Sequence, residues 1–354
     1  IASNTTTISA ASQDVTLNHA SNDFGTIGVT GADVKIRDAG AVALGASTVS
    51  GTYLVTAVSG GDITNTGTLD IEGVATFTVA GGRSITVASG SNDFTATPVF
   101  SSGGTIANVE IKDNSALVLA GSALTLSGDL TVTVAGGAVT QTNQLVVPGT
   151  TTISAASQDV TLNHASNNFG TIGVTGATVI LRDTDAVVLG TSTVTGTYLV
   201  TAGGAVTQSG VLAIDSNTAT FVAGSGNNIT LSNSDNDFQT LVITSGKNVT
   251  LVDTDAISIG ASTVSGTFSV TASSITNAGN LTITGASTFT IPDGQSMTLD
   301  SAGNDFRDTV TFSASSGTIA NITIVETSAI DFGGLTISGN LTATISNGAV
   351  TQTG

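Results

Sequence analysis

The sequence predicts an all-β fold, a parallel β-solenoid (β-helix) built from five modules of about 70 residues with about three coils each. Three observations lead there. The composition favours strands and starves helices, five landmarks recur in one fixed order along the chain, and apolar residues alternate with small polar ones inside each short segment.

Composition sets the class. Of 354 residues only 9% are charged and 4% aromatic, with 43 Gly, 3 Pro and no Cys or Trp. Thr, Ser, Ala, Val, Ile, Leu and Asn make up the remaining bulk. Branched Thr, Val and Ile pack well on a pleated surface, whereas Lys, Arg, Glu and Met, which favour helices, are nearly absent. The wealth of Val, Ile, Leu and Phe separates the chain from disordered ones. No run approaches the ~18 apolar residues of a membrane helix, and Tyr53 and Tyr198, the only tyrosines, cannot build the aromatic girdles of a transmembrane barrel. No membrane insertion is expected.

The net charge of −18, with Asp+Glu at 25 against seven Lys+Arg, leaves no basic patch for phosphates, so no nucleic-acid partner is expected. Without Cys there are no disulfides, zinc–thiolate sites or thiol chemistry. There is no Met at position 1 and no charged-then-apolar leader. Residues 1–354 therefore read as one continuous solenoid, a fragment of a longer repetitive chain.

The repeat is strong. Thr5 to Ala32 returns at Thr150 to Ala177 with one change, Asp23 to Asn168. The first landmark is Asn-(Asp/Asn)-Phe, beginning at Asn22, Asn92, Asn167, Asn236 and Asn304 and ending at Phe24, Phe94, Phe169, Phe238 and Phe306. Asn tolerates the left-handed φ of a corner. Phe, with no polar atom to satisfy, is then expected to enter the core at all five places. The second landmark is an acid before an Ala-led apolar run: Asp38, Asp113, Asp183, Asp253 and Glu326. The others are (Ser/Thr)-Gly, (Val/Ile)-Thr-(Gln/Asn) from Ile63, Val139, Val206, Ile275 and Val350, and Thr before a large apolar residue at Ile8, Phe77, Ile153, Phe221 and Phe289. Modules two and five carry related inserts, Ser102 to Ile111 and Ser315 to Ile324, expected to bulge from one corner. Within a module, pairs such as Val15 and Leu17, or Val34 and Ile36, give the period of two. Gly, Asn, Asp and Ser close the strands, and coils of roughly 23 residues follow.

Runs such as Gly137 to Asn143, Gly204 to Gly210, Gly348 to Gly354, Ser50 to Ala57 and Asn22 to Val34 resemble the repeats of filamentous haemagglutinin-like exoproteins and related giant β-strand-repeat bacterial adhesins. The resemblance covers essentially the whole chain. It implies a right-handed helix, export to the bacterial cell surface or beyond, and a role in adhesion, aggregation or biofilm. A structural subunit of an extracellular filament, sheath or surface layer is the alternative.

Little in the sequence speaks for chemistry. His19 and His164 are one corner residue counted twice, without a repeated acidic partner for a triad. The landmark acids recur once per module, and stacked coils at ~4.8 Å set them beyond the reach of a catalytic carboxylate pair. No enzyme is expected. Single acids such as Asp38 read as turn-closers through side-chain to backbone bonds. No cofactor is expected, although Asp183 with Asp185 and Asp253 with Asp255 are candidates for a calcium corner. Outward Thr rows give a minor ice-binding alternative. The expected partners are further copies of the chain, end to end or side by side, and host or surface glycans.

Overall fold

The computed structural model describes residues 4–354. They contain forty-three strands and no helix, and every strand register described is parallel. The chain divides into two compact units, residues 1–177 and 178–354. Each is a β-solenoid, and the two account for about 16 turns.

In the first unit, five parallel strands stack as one sheet: Val15–Leu17, Val34–Asp38, Tyr53–Ala57, Ala75–Val79 and Val99–Ser102. Their inward positions form a column, Leu17 on Ile36 on Val55 on Phe77 on Phe100. A second column runs Val87, Ile111, Val132, Ile153 and Val174. The expected alternation is the physical cause. Val34–Asp38 alternates buried Val34, Ile36 and Asp38 with more exposed Lys35 and Arg37, because successive side chains leave a strand on opposite faces.

The second unit repeats the plan. Leu181, Val200, Phe221 and Ile243 form one column, and Leu231, Leu251, Val270, Phe289 and Phe312 another. A three-stranded sheet sets Val264 on Ile283 on Phe306. Aromatic rings meet edge to face between turns. Phe268–Phe289–Phe306 have centroids 5.9 and 6.0 Å apart, and Tyr198–Phe221–Phe238 6.0 and 6.3 Å. The first unit has the same trio in Tyr53–Phe77–Phe94, at 6.2 and 6.1 Å. This geometry suits the ring quadrupole.

Register partners give turn lengths from 17 residues, as from Thr26 to Ala43, up to 25, from Met297 to Ile322. The two inserts begin within long turns, Ile85 to Val109 and Met297 to Ile322. They do not simply bulge outward as expected. After the Gly-containing bend each returns an isoleucine to the core, Ile106 at 3% exposure and Ile319 at 0%, bridged in parallel to Leu126 and Ile337. Burying that side chain offsets the cost of ordering the added backbone. Gly137, at φ +94, turns a corner where a Cβ would lie 2.6 Å from that of Ala116; only Gly accepts both conditions.

Candidate functional site

The landmark residues come together at one corner per module. Each landmark Asn donates from Nδ2 to the carbonyl five residues back: Asn22 to Leu17, Asn92 to Val87, Asn167 to Leu162, Asn236 to Leu231 and Asn304 to Leu299, at 2.8–3.4 Å. This closes the corner locally. The Oδ1 atom reaches across to the neighbouring turn. It accepts the backbone N–H of Leu69 at Asn92, Leu145 at Asn167, Leu212 at Asn236 and Leu281 at Asn304, at 2.9–3.1 Å.

The same Oδ1 accepts from the amide of the (Val/Ile)-Thr-(Gln/Asn) landmark, 26–28 residues earlier. The donors are Asn65, Gln141, Gln208 and Asn277, at 2.8–3.0 Å. Where that residue is Gln, its longer chain lets the amides pair both ways, with Asn167 Nδ2 donating back to Gln141 Oε1 at 2.7 Å and Asn236 Nδ2 to Gln208 Oε1 at 2.9 Å. Where it is Asn there is no such return bond among the described residues, and the oxygen accepts a backbone N–H, of Ser89 or of Ser301, as the Gln oxygens also do from His164 and Asn233. Asn92, Asn167, Asn236 and Asn304 are all fully buried, and a buried amide must have its donors and acceptors met.

Four landmark acids, Asp38, Asp113, Asp253 and Glu326, join the corners of their own modules. Asp38, Asp113, Asp183, Asp253 and Glu326 are 0–5% exposed. The carboxylate accepts the backbone N–H of the landmark Phe: Phe24 to Asp38 at 2.7 Å, Phe238 to Asp253 at 2.8 Å and Phe306 to Glu326 at 2.9 Å. It also accepts the N–H two residues on, from Gly40, Ser115, Asp185 and Ser328. These are the side-chain to backbone bonds expected of turn-closing acids. Burial pushes the Asp113 carboxyl up, against the pull of its bonds from Ser115 and Phe94.

Four of the five landmark Phe residues are 0–2% exposed: Phe94, Phe169, Phe238 and Phe306. Phe24 departs from the expectation and is half-buried. Its corner lacks the second layer of side-chain bonds, since among the described residues the Asn22 side chain makes only its local bond to Leu17.

Asp185 and Asp255 are exposed beside buried Asp183 and Asp253. Among the described residues no group of three or more His, Cys, Asp or Glu is placed to hold a metal ion. His19 and His164 each accept the backbone N–H two residues on, from Ser21 and Ser166 at 3.2 Å, so both serve corners. A second buried polar motif went unread in the sequence. Ser47, Ser192 and Ser262 are 1–3% exposed and each donates to the carbonyl two residues back. Ser47 and Ser262 also accept the N–H of Val29 and Ile243. The signal was available as Gly-x-Ser-Thr-Val at Gly45, Gly190 and Gly260.

A family model described as "Repeats of unknown function (DUF5649)" matches residues 1–30, 31–101, 106–175, 176–245, 246–313 and 319–354, and the chain belongs to that family. The short gaps between matches, 102–105 and 314–318, overlap the first residues of the two inserts. No curated protein and no solved structure matches the chain.

Proposed function

We propose that this member of the repeat family is a non-enzymatic segment of an extracellular bacterial fibre or stalk, serving adhesion, aggregation or biofilm formation like the filamentous haemagglutinin-like exoproteins its repeats resemble. One observation carries the reading. In four of the five modules the recurring Asn is buried at the corner, and it spends its hydrogen bonds on the backbone and amides of adjacent turns. Such groups hold a scaffold in register, whereas catalytic groups must face a substrate. What is left for solvent is a surface rich in Thr, Ser and Asn, suited to hydroxyl-rich partners such as host or surface glycans. Displayed on a non-aggregating bacterium, the chain should increase settling and surface attachment. Behaviour equal to cells displaying an unrelated solenoid would overturn the proposal, as would reproducible polysaccharide turnover abolished by Asp183→Asn.

The second reading is a self-associating subunit of a filament, sheath or surface layer, built by the same parallel stacking that joins one turn to the next within the chain. Charge repulsion at −18 is screened within ~8 Å at physiological salt. Sedimentation should therefore show assembly that grows with salt. A strict monomer at high protein concentration in about 0.5 M salt, where screening is stronger still, would sink this reading.

A further inference from the structure

The acid corners are not all built alike. In the second module Ser115, two residues after buried Asp113, sets its hydroxyl 2.7 Å from Asp93 Oδ1 and 3.2 Å from Asp113 Oδ1. In the fifth module Ser328 stands likewise between Asp305, at 3.1 Å, and Glu326, at 2.9 Å. One hydroxyl proton thus lies between two carboxylates. In the fourth module the same three positions are Asp237, Asp253 and Asp255. The hydroxyl is gone and a third carboxylate replaces it.

Asp253 is only 5% exposed. Its Oδ1 accepts the Phe238 N–H, while Oδ2 is buried without a hydrogen-bond partner. One adjoining turn supplies Asn236, bonded through Nδ2 to the Val252 carbonyl, and Asp237. The other supplies Thr271 to Ser273, which bond backbone to backbone with Asp253 and Asp255 and do not titrate. The charged groups that bear on Asp253 are Asp255 and Asp237, both negative.

We propose that the corner formed by Asp237, Asp253 and Asp255 is a proton-binding site, holding a proton where the second and fifth modules hold a serine hydroxyl. A buried carboxylate with like charges beside it and an orphaned oxygen gains most by becoming a neutral acid, whose O–H supplies the missing donor. A cation is the other way to neutralise such a corner, but these acids are not placed as a metal-holding group.

The direction of the pH effect follows. Burial, then Asp255 and Asp237, push Asp253 up to about 7 from an ordinary 3.8, against the pull of its backbone bonds. A raised carboxyl makes the folded state bind the extra proton between those two values. Its contribution is therefore present in mild acid and lost as pH rises through about 7. The corner is tightest below neutrality and loosens above it.

The Phe238 amide, bonded to Asp253, is the reporter. Its NMR shift should titrate with a midpoint near 7. Asp253→Asn should abolish the inflection, and Asp255→Ser, which imports the serine of the sister corners, should lower the midpoint by roughly one unit or more. A flat Phe238 signal from mild acid to mild alkali would overturn the proposal. So would an inflection that survives Asp253→Asn, or one that millimolar calcium removes at constant pH. If Asp253→Asn does not fold, the wild-type and Asp255→Ser titrations still decide the matter.

Discussion

Thr5 to Ala32 and Thr150 to Ala177 differ at one residue in 28, yet they have different surroundings. Their corner geometry is the same. Gln13 and Gln158 donate to Ala10 and Ala155, and Asn22 and Asn167 donate to His19 and His164. Ala11 and Ala156 take the same left-handed turn, at φ 49 and 50. Burial is not the same. Ile8, Leu17 and Phe24 are half-buried, while Ile153, Leu162 and Phe169 are 0–1% exposed.

The cause is the neighbouring turn. Thr150 to Ser154 has the strand Leu130–Val134 on one side and Thr171 to Thr175 on the other. Thr5–Ser9 pairs with Thr26–Gly31. Identical sequence thus fixes identical corners, while the burial of each side chain depends on the turns that pack beside it. Solenoid stability is accordingly a sum of repeat terms and nearest-neighbour terms, and the two copies separate those terms.

The largest test removes the ring. Phe169→Ala should cost about 3–5 kcal/mol, the usual range for a fully buried Phe, whereas half-buried Phe24→Ala should cost about 1–2. Chemical denaturation of the two variants measures both, and equal losses would break the comparison. Next comes the amide. Asn167→Ala removes bonds to Leu162, Gln141 and Leu145 and leaves buried partners unmet, at about 3 kcal/mol, while Asn22→Ala loses one bond and about 1. Hydrogen exchange should show the Leu145 amide losing protection in the first variant. The smallest effect sharpens the point: Asp23→Asn makes the two copies identical and should change stability by less than about 0.5 kcal/mol. A larger gain would mean that residue 23, not the neighbouring turn, keeps Phe24 half-exposed.

Much of this was legible beforehand because it is local or periodic. The strands, the two-residue alternation, the five equivalent corners and the turn-closing role of acids such as Asp38 all depend on residues within a few positions of each other. So did the module count, since a repeated text implies a repeated unit. The partners of the buried amides were not legible. Gln141 and Asn167 lie 26 residues apart and Gln208 and Asn236 lie 28, and turn lengths vary too much for spacing to identify which side chains meet. The landmark series marked both residues as recurrent without marking them as bonded. The buried serines escaped because a Ser before Thr-Val reads as one more polar residue in a polar strand.

By itself, then, the sequence determined the class of fold, the corners and the inward face of each strand, because backbone geometry and solvent exclusion act over a few residues. Only the tertiary structure decided which corner closes with a serine hydroxyl and which faces three carboxylates, and whether a given Phe is sealed or half-open. Those outcomes belong to contacts between turns about 20 residues apart, where burial and charge are set by what the neighbouring turn supplies.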